Sequence, residues 1–167
     1  MTGCEPAPVY SPPPEPTIEP FYAEDEDVLE ATDAFMQNYL AAKNAFLRSG
    51  GTDKALADYV SEEWLDDERQ DARDLVDRGL TLVGDFKYSH LEIQQWNQDS
   101  ATEAYVQAYV CLDYRDSHYV SSDGTEVEGE LEAAPFEAIM YAGSGHQLVL
   151  HELRPWTGRD FCVEPQP

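Results

Sequence analysis

Residues 105–112, Tyr-Val-Gln-Ala-Tyr-Val-Cys-Leu, constrain this chain most. Val106, Ala108, Val110 and Leu112 fall on one phase of a period of two, and Tyr105, Gln107, Tyr109 and Cys111 on the other. Such alternation marks a strand with one face in a core and one outside it. That strand needs neighbours, so the chain must supply a sheet and something to cover its aliphatic face. A second stretch, 154–162, reads as a strand end and a turn that delivers a cysteine. If Cys111 and Cys162 meet, the C-terminal segment is tied to the middle of the sheet.

The cover comes from upstream. Glu24-Asp25-Glu26-Asp27 suits a helix N-terminus, where the macrodipole favours negative charge. Leu29, Thr32, Phe35, Met36, Tyr39, Leu40, Phe46 and Leu47 then recur at helical spacing, which predicts a helix over 25–49 stopped by Gly50-Gly51. Phe35, Tyr39 and Phe46 read as core rather than as a ligand face. Thr52 is expected to cap a short second helix through Leu56, Tyr59 and Val60, and Ser61 with Glu62 and Glu63 to open a third. The buried stripe expected there is Trp64, Leu65, Ala72, Leu75 and Val76. Asp66, Asp67, Glu68, Asp71, Asp74 and Asp77 form its solvated face, without the alternating ligands and turn glycine of a calcium loop. Gly79 ends it.

The remainder reads as sheet. Residues 86–96 make a long strand whose inward face is ambiguous, because both phases carry polar residues. Asn97-Gln98-Asp99-Ser100 turns the chain into the Cys111 strand, which is expected to run on towards Tyr119 before a turn at Ser122-Asp123-Gly124. Residues 126–132 are too acidic for a central strand. Pro135 introduces another strand at 136–141, Gly143-Ser144-Gly145 a hairpin, and 147–153 the last strand. The expected fold class is α+β: N-terminal helices packed on a curved antiparallel sheet of about four long strands. The expected organisation is an N-terminal segment with a Pro-rich spacer over 1–24, one domain over 25–162, and a tail over 163–167. Proline favours extended polyproline II, so the spacer has no apolar face to bury.

Asp and Glu number 34 against 10 Lys and Arg, a net charge of -24. Phosphate backbones and anionic membrane faces repel such a surface, so no nucleic-acid partner is expected and membrane contact needs a non-electrostatic anchor. Cationic partners are favoured. The acidity alone reads as a compositional habit rather than a specific role. No apolar run approaches the ~18 residues of a membrane helix.

With helices followed by four strands, the chain resembles the SnoaL-like, nuclear transport factor 2-like cone, a cystatin-like fold. Cys111-Leu112-Asp113, Ser122-Asp123-Gly124-Thr125, Ala134-Pro135-Phe136-Glu137 and the run from Pro155-Trp156 to Phe161-Cys162 resemble a group of exported lipoproteins of actinobacteria. The resemblance spans 25–162 and departs from the pattern at the final strand, where His146-Gln147-Leu148 stand in place of an opening Trp. Thr2-Gly3-Cys4 looks like the tail of a bacterial lipobox, with Cys4 the lipid-bearing first residue of the mature protein and an apolar export segment upstream. A Pro-rich spacer suits an anchor, and setting Cys4 aside leaves an even pair of cysteines, as an oxidising compartment favours. The resemblance thus implies an extracytoplasmic protein held on the outer face of the cell membrane through a lipid anchor. In that setting Cys111 and Cys162 are the expected disulfide: Pro155 ends the last ladder, Thr157-Gly158 turns the chain back, and Trp156 and Phe161 pack it down. The alternative is two separate buried thiols.

Enzymes with this cone place Asp, His or Tyr inside it. The candidates here are His90, Tyr88, Asp113 and His151, of which His90 is the weak catalytic candidate, a base if its ring faces the cavity. The aliphatic phase at 106–112 offers no acid–base group. The chain has no HExxH, paired CxxC, phosphate loop or G-x-S-x-G, and His118, His146 and His151 lack zinc-ligand spacing, so no metal or cofactor is expected. The best reading is a non-enzymatic binding or interaction module for an unknown protein or small apolar ligand. The alternatives are an isomerase- or hydratase-like enzyme using a polar group in the cone, and an accessory protein acting only by protein–protein contact. An open apolar cavity, a buried His90–carboxylate pair or a filled interior would separate the three.

Overall fold

The computed structural model describes residues 21–100, 103–127, 132–143 and 145–162. Cys4 and the Pro-rich spacer up to Pro20, and the tail 163–167, lie outside them.

Helix α1 spans Asp25–Arg48. The Asp27 carboxylate accepts from the Glu24 and Ala23 amides at 3.3 and 2.9 Å, which satisfies donors the helix start would otherwise orphan. Gly50 and Gly51 end it with positive φ. The buried seam begins one residue earlier than the periodicity predicts: Val28 is fully buried and Leu29 is 42% exposed. A 3-10 turn, Ala55–Asp58, replaces the expected second helix. Asp53, not Thr52, accepts its first amide, from Ala55 at 2.8 Å, while the Thr52 hydroxyl donates to the Ser49 carbonyl. Helix α2, Glu62–Asp77, is capped by the Ser61 hydroxyl as expected.

The buried residues of α2 are Leu65, Glu68 and Ala72, spaced three and four apart along one narrow stripe. Two expectations are corrected here. Val76 is 53% exposed, and Glu68 lies inside rather than on the solvated face. Glu68 is tolerated inside because Lys43 of α1 pairs with it at 2.6 Å.

Among the described residues six strands follow: β1 Leu80–Val83, β2 Lys87–Ser100, β3 Glu103–Asp113, β4 His118–Ser121, β5 Ala133–Ala142 and β6 Leu148–Pro155. An antiparallel sheet runs in the order β2-β3-β5-β6, and β1 pairs with β4 in a small second sheet. The Cys111 strand therefore does not continue to Tyr119. A turn closed by Ser117 N–H onto the Tyr114 carbonyl at 3.0 Å swings β4 away to meet β1. Gly84 permits the crossing, since a Cβ there would lie 2.1 Å from the Asp116 carbonyl oxygen.

The ambiguous inward face of β2 has a physical cause. Opposite the aliphatic residues of β3 stand Tyr88, Leu91, Ile93, Trp96 and Gln98. The phase switches between Tyr88 and Leu91 and again between Ile93 and Trp96, because the register shifts at Tyr88/His90 and at Ile93/Gln95. A bulge adds one residue and turns every later side chain to the other face. Val106, Ala108 and Val110 of β3 and Met140 and Leu150 of β5 and β6 are fully buried beneath Met36, Tyr39 and Phe46. The Asn44 side chain clamps the entry to β2, donating to the Phe86 carbonyl and accepting its amide at 3.0 and 2.9 Å. The face of the sheet towards the helices is thus packed with side chains.

Candidate functional site: an acidic groove along an open sheet edge

Strand β2 is a terminal strand of its sheet, and no described strand pairs with its outer edge. Helix α1 crosses near it and is fastened at two points. The Tyr88 hydroxyl donates to Asp33 Oδ1 at 2.6 Å, and the Trp96 indole donates to Asp25 Oδ1 at 2.7 Å. Asp25, Leu29 and Asp33 are four residues apart, so they share one helix face. Leu29 therefore stands between the two fastenings, unsatisfied by the core and facing outward.

Two clefts meet at Leu29 and Leu91. One, of about 470 Å³, is lined by Asp25, Leu29 and Leu91 through Trp96. The other, of about 820 Å³, adds Glu26, Glu30, Asp33 and Tyr88. Together they make a groove with apolar side chains, Leu29, Leu91 and Ile93, between carboxylates of α1 and Glu92. Burial, with the Asp33 hydrogen bond second, pushes the Tyr88 phenol up to about 12, so it remains a donor at neutral pH. An unpaired strand edge presents backbone donors and acceptors to an incoming strand, and a carboxylate rim selects a positive one.

Of the histidines and acids singled out from the sequence, Tyr88 and His90 both line the cleft of about 820 Å³, and the others stand apart from them. His90 lies on the outer face beside Cys111, not in the interior. Its Nε2 is 3.7 Å from Glu92 Oε2, and the two side chains are 33% and 62% exposed. Tyr88 faces the helices. Asp113 pairs with Arg115 at 2.5 Å, and that hydrogen bond holds its carboxyl down at about 2. His151 is exposed on β6, its ring 4.8 Å from Tyr141, while His146 stacks on Phe21 at 4.0 Å and His118 opens β4. Among the described residues no group of three or more His, Cys, Asp or Glu is placed to hold a metal.

The outer face carries Cys111 and Cys162. Cys111 and Cys162 are joined, their Cα atoms 5.4 Å apart, within the ordinary span of a disulfide. The returning segment lays Trp156 and Phe161 over Tyr109, at 4.4 and 5.8 Å between ring centres. Beside it Glu137, nearly fully buried, accepts from the Gln107 amide and the Arg154 guanidinium. Sequence reading missed that buried acid, the Lys43–Glu68 pair and the groove. The only available signal for the groove was Leu29 standing among Glu26, Glu30 and Asp33.

No family model and no curated protein matches the chain. Among solved structures it is similar to the intermembrane space region of the chloroplast protein ARC6, with a TM-score of 0.56 at 10% identity, over 77% of this chain and 97% of that one. At such identity the likeness concerns the fold alone. A de novo β-sheet design solved by NMR aligns over 85% of this chain and 97% of its own, at 17% identity and a TM-score of 0.35, too low to argue from.

Proposed function

We propose that the chain is an extracytoplasmic interaction domain that captures an extended, positively charged segment of a partner protein along the outer edge of β2. The observation that carries this reading is the groove: an unpaired strand edge over residues 91–96, apolar side chains beside it and carboxylates around them. Main-chain hydrogen bonds supply affinity in strand addition, and side-chain pockets supply choice. A segment alternating lysine with a β-branched residue matches both demands. The packed interior favours contact between proteins over a ligand held inside the sheet. In this reading the domain is a SnoaL-like cone of the exported lipoprotein type, lipidated at Cys4 and held off the membrane by the Pro-rich spacer, as the motifs around Cys111 and Cys162 suggest.

The test uses a peptide of four Lys-Val repeats and its Glu-Val counterpart, followed by amide resonances. The Lys-Val peptide is expected to move the amides of 91–96 in a salt-sensitive manner, and Leu29→Lys with Glu30→Lys to weaken it at least tenfold. Shifts confined to the acidic face of α2, or equal binding of both peptides, would overturn the groove. For the anchor, the complete reading frame is expressed in a lipoprotein-processing bacterium. Cys4→Ser is expected to release the protein from the membrane fraction, because stable attachment requires the acyl chains. Undiminished attachment would overturn lipidation.

A further inference from the structure

The aromatic side chains of the outer face form a row that ends at the open edge of β2. Trp156, whose N–H donates to the Pro135 carbonyl of β5 at 2.9 Å, lies 4.4 Å from Tyr109 of β3. Tyr109 lies 5.8 Å from Phe161, and Phe161 lies 5.4 Å from His90 of β2, all between ring centres. Spacings of this size are those of interacting rings. The bridge between Cys111 and Cys162 sets the returning segment down on this row, and His90 stands opposite Cys111 in the ladder.

His90 is also a wall of the cleft of about 820 Å³. The register shift at Tyr88/His90 inserts Ser89 and turns the His90 ring to the outer face. From His90 to Ile93 the ladder is regular, with His90 and Glu92 outward and Leu91 and Ile93 towards the helices. A strand added along this edge meets the same alternation. Its residue opposite Leu91 faces apolar surface, and its residue opposite Glu92 faces a carboxylate that is 62% exposed. The residue opposite His90 faces a ring that Phe161 backs. Directly opposed side chains on neighbouring strands touch, and aromatic pairs there are favourable. The positions opposite His90 and Glu92 are two apart whichever way the added strand runs.

We infer that the segment captured in the groove carries an aromatic residue two positions from the lysine that meets Glu92, its ring packing on His90 as the next member of the row. This rests on the strand addition proposed above and adds the chemistry of one position to it. His90 makes the contact. Phe161, held in place by the disulfide, is a positioning residue that acts through His90.

The probes are three peptides of equal charge, Val-Lys-Val-Phe-Val-Lys-Val and its counterparts with Leu or Ser at the centre. Their symmetry sets a lysine over Glu92 in either strand direction. The Phe peptide is expected to bind about fivefold tighter than the Ser peptide, on the order of one aromatic pair, with the Leu peptide between them. It should move the His90 ring resonances, which the Ser peptide leaves in place. His90→Ala is expected to bring the Phe and Ser peptides to equal affinity while the Ser peptide binds as before. Phe161→Leu, which leaves the disulfide intact, should at least halve the preference. Should either variant fail to fold, the three peptides on the unaltered protein still decide. Equal binding of the Phe and Ser peptides, a Leu peptide as tight as the Phe one, unmoved His90 resonances, or a preference that survives His90→Ala would overturn the inference and leave the groove standing. Amides of 91–96 unmoved by all three peptides would overturn the groove and the inference together.

Discussion

The Trp96 indole and the Asp25 carboxylate, 71 residues apart in the chain, meet at 2.7 Å and tie the first turn of α1 to the far part of β2. The bond does more than hold two elements together. It keeps Asp25 in the first helical turn, where negative charge is favoured, and keeps one end of the β2 groove open beside Leu29. Trp96→Phe keeps an aromatic ring, smaller than the indole, and removes the donor. It is expected to cost about 0.5–1 kcal/mol in urea unfolding, typical of a partly solvated hydrogen bond. The same variant should broaden the amide resonances of residues 91–96, with those of β5 unchanged.

Lys43 and Glu68 form the least replaceable pair in the helical layer. Breaking a buried pair by removing one partner leaves an uncompensated charge, so Lys43→Met is expected to destabilise by about 3 kcal/mol or more. Burial disfavours the Lys43 ammonium, but Tyr39 and Glu68 beside it outweigh that and hold its pKa above the ordinary lysine value. Lys43→Met with Glu68→Leu removes both charges and should recover most of the loss. A double mutant as unstable as the single one would show that shape, not charge, governs the site.

This pair also shows where sequence reading stops. The helix over 25–48 and the α2 cap at Ser61 were legible, because caps and periodicity are local signals. So was the aliphatic phase of β3, since regular alternation survives without knowledge of neighbours. Glu68 was not, because an acid in an acidic helix resembles its exposed neighbours until a lysine 25 residues upstream is brought against it. The phase of β2 was hidden by two bulges, and a bulge is set by pairing rather than by composition. Strands β1 and β4, four residues each, are too short for alternation to register, which is why the turn after Asp113 read as a continuing strand. The groove depends on which strand ends the sheet, and strand order is written nowhere locally.

Cys111 and Cys162 close a loop over a separation of 51 residues. The chain-entropy account assigns such a loop about 4 kcal/mol, less any native strain. Reduction, or Cys111→Ser with Cys162→Ser, is expected to lower the melting temperature by roughly 10 °C or more, given the several degrees per kcal/mol typical of a domain of this size. It should also free Trp156 from Tyr109, visible as a change in near-UV circular dichroism. Peptide mapping without reductant gives the pairing directly. Two free thiols in protein recovered from an oxidising compartment would contradict the bridge.

The pH response has two edges with opposite causes. Asp113 is held down at about 2, first by its hydrogen bond to Arg115. A depressed folded pKa contributes stability above the unfolded value of about 3.9, and that contribution is lost as the pH falls towards 2. Arg115→Ala should return the Asp113 carboxyl resonance to the ordinary range. At the alkaline edge, burial raises Tyr88 and Tyr114 to about 12, with the Asp33 hydrogen bond adding to it at Tyr88. A raised folded pKa contributes stability that is complete below the unfolded value of about 10 and is lost as the pH climbs through 12. Phenolate absorbance followed with far-UV circular dichroism should therefore rise in two stages, exposed tyrosines first and the Tyr88–Tyr114 set with unfolding. Tyr88→Phe removes its share of the second stage and the bond to Asp33 together, so this variant should also release the middle of α1 from β2. If all 10 tyrosines ionise together near pH 10 while the fold persists, neither phenol is protected as described.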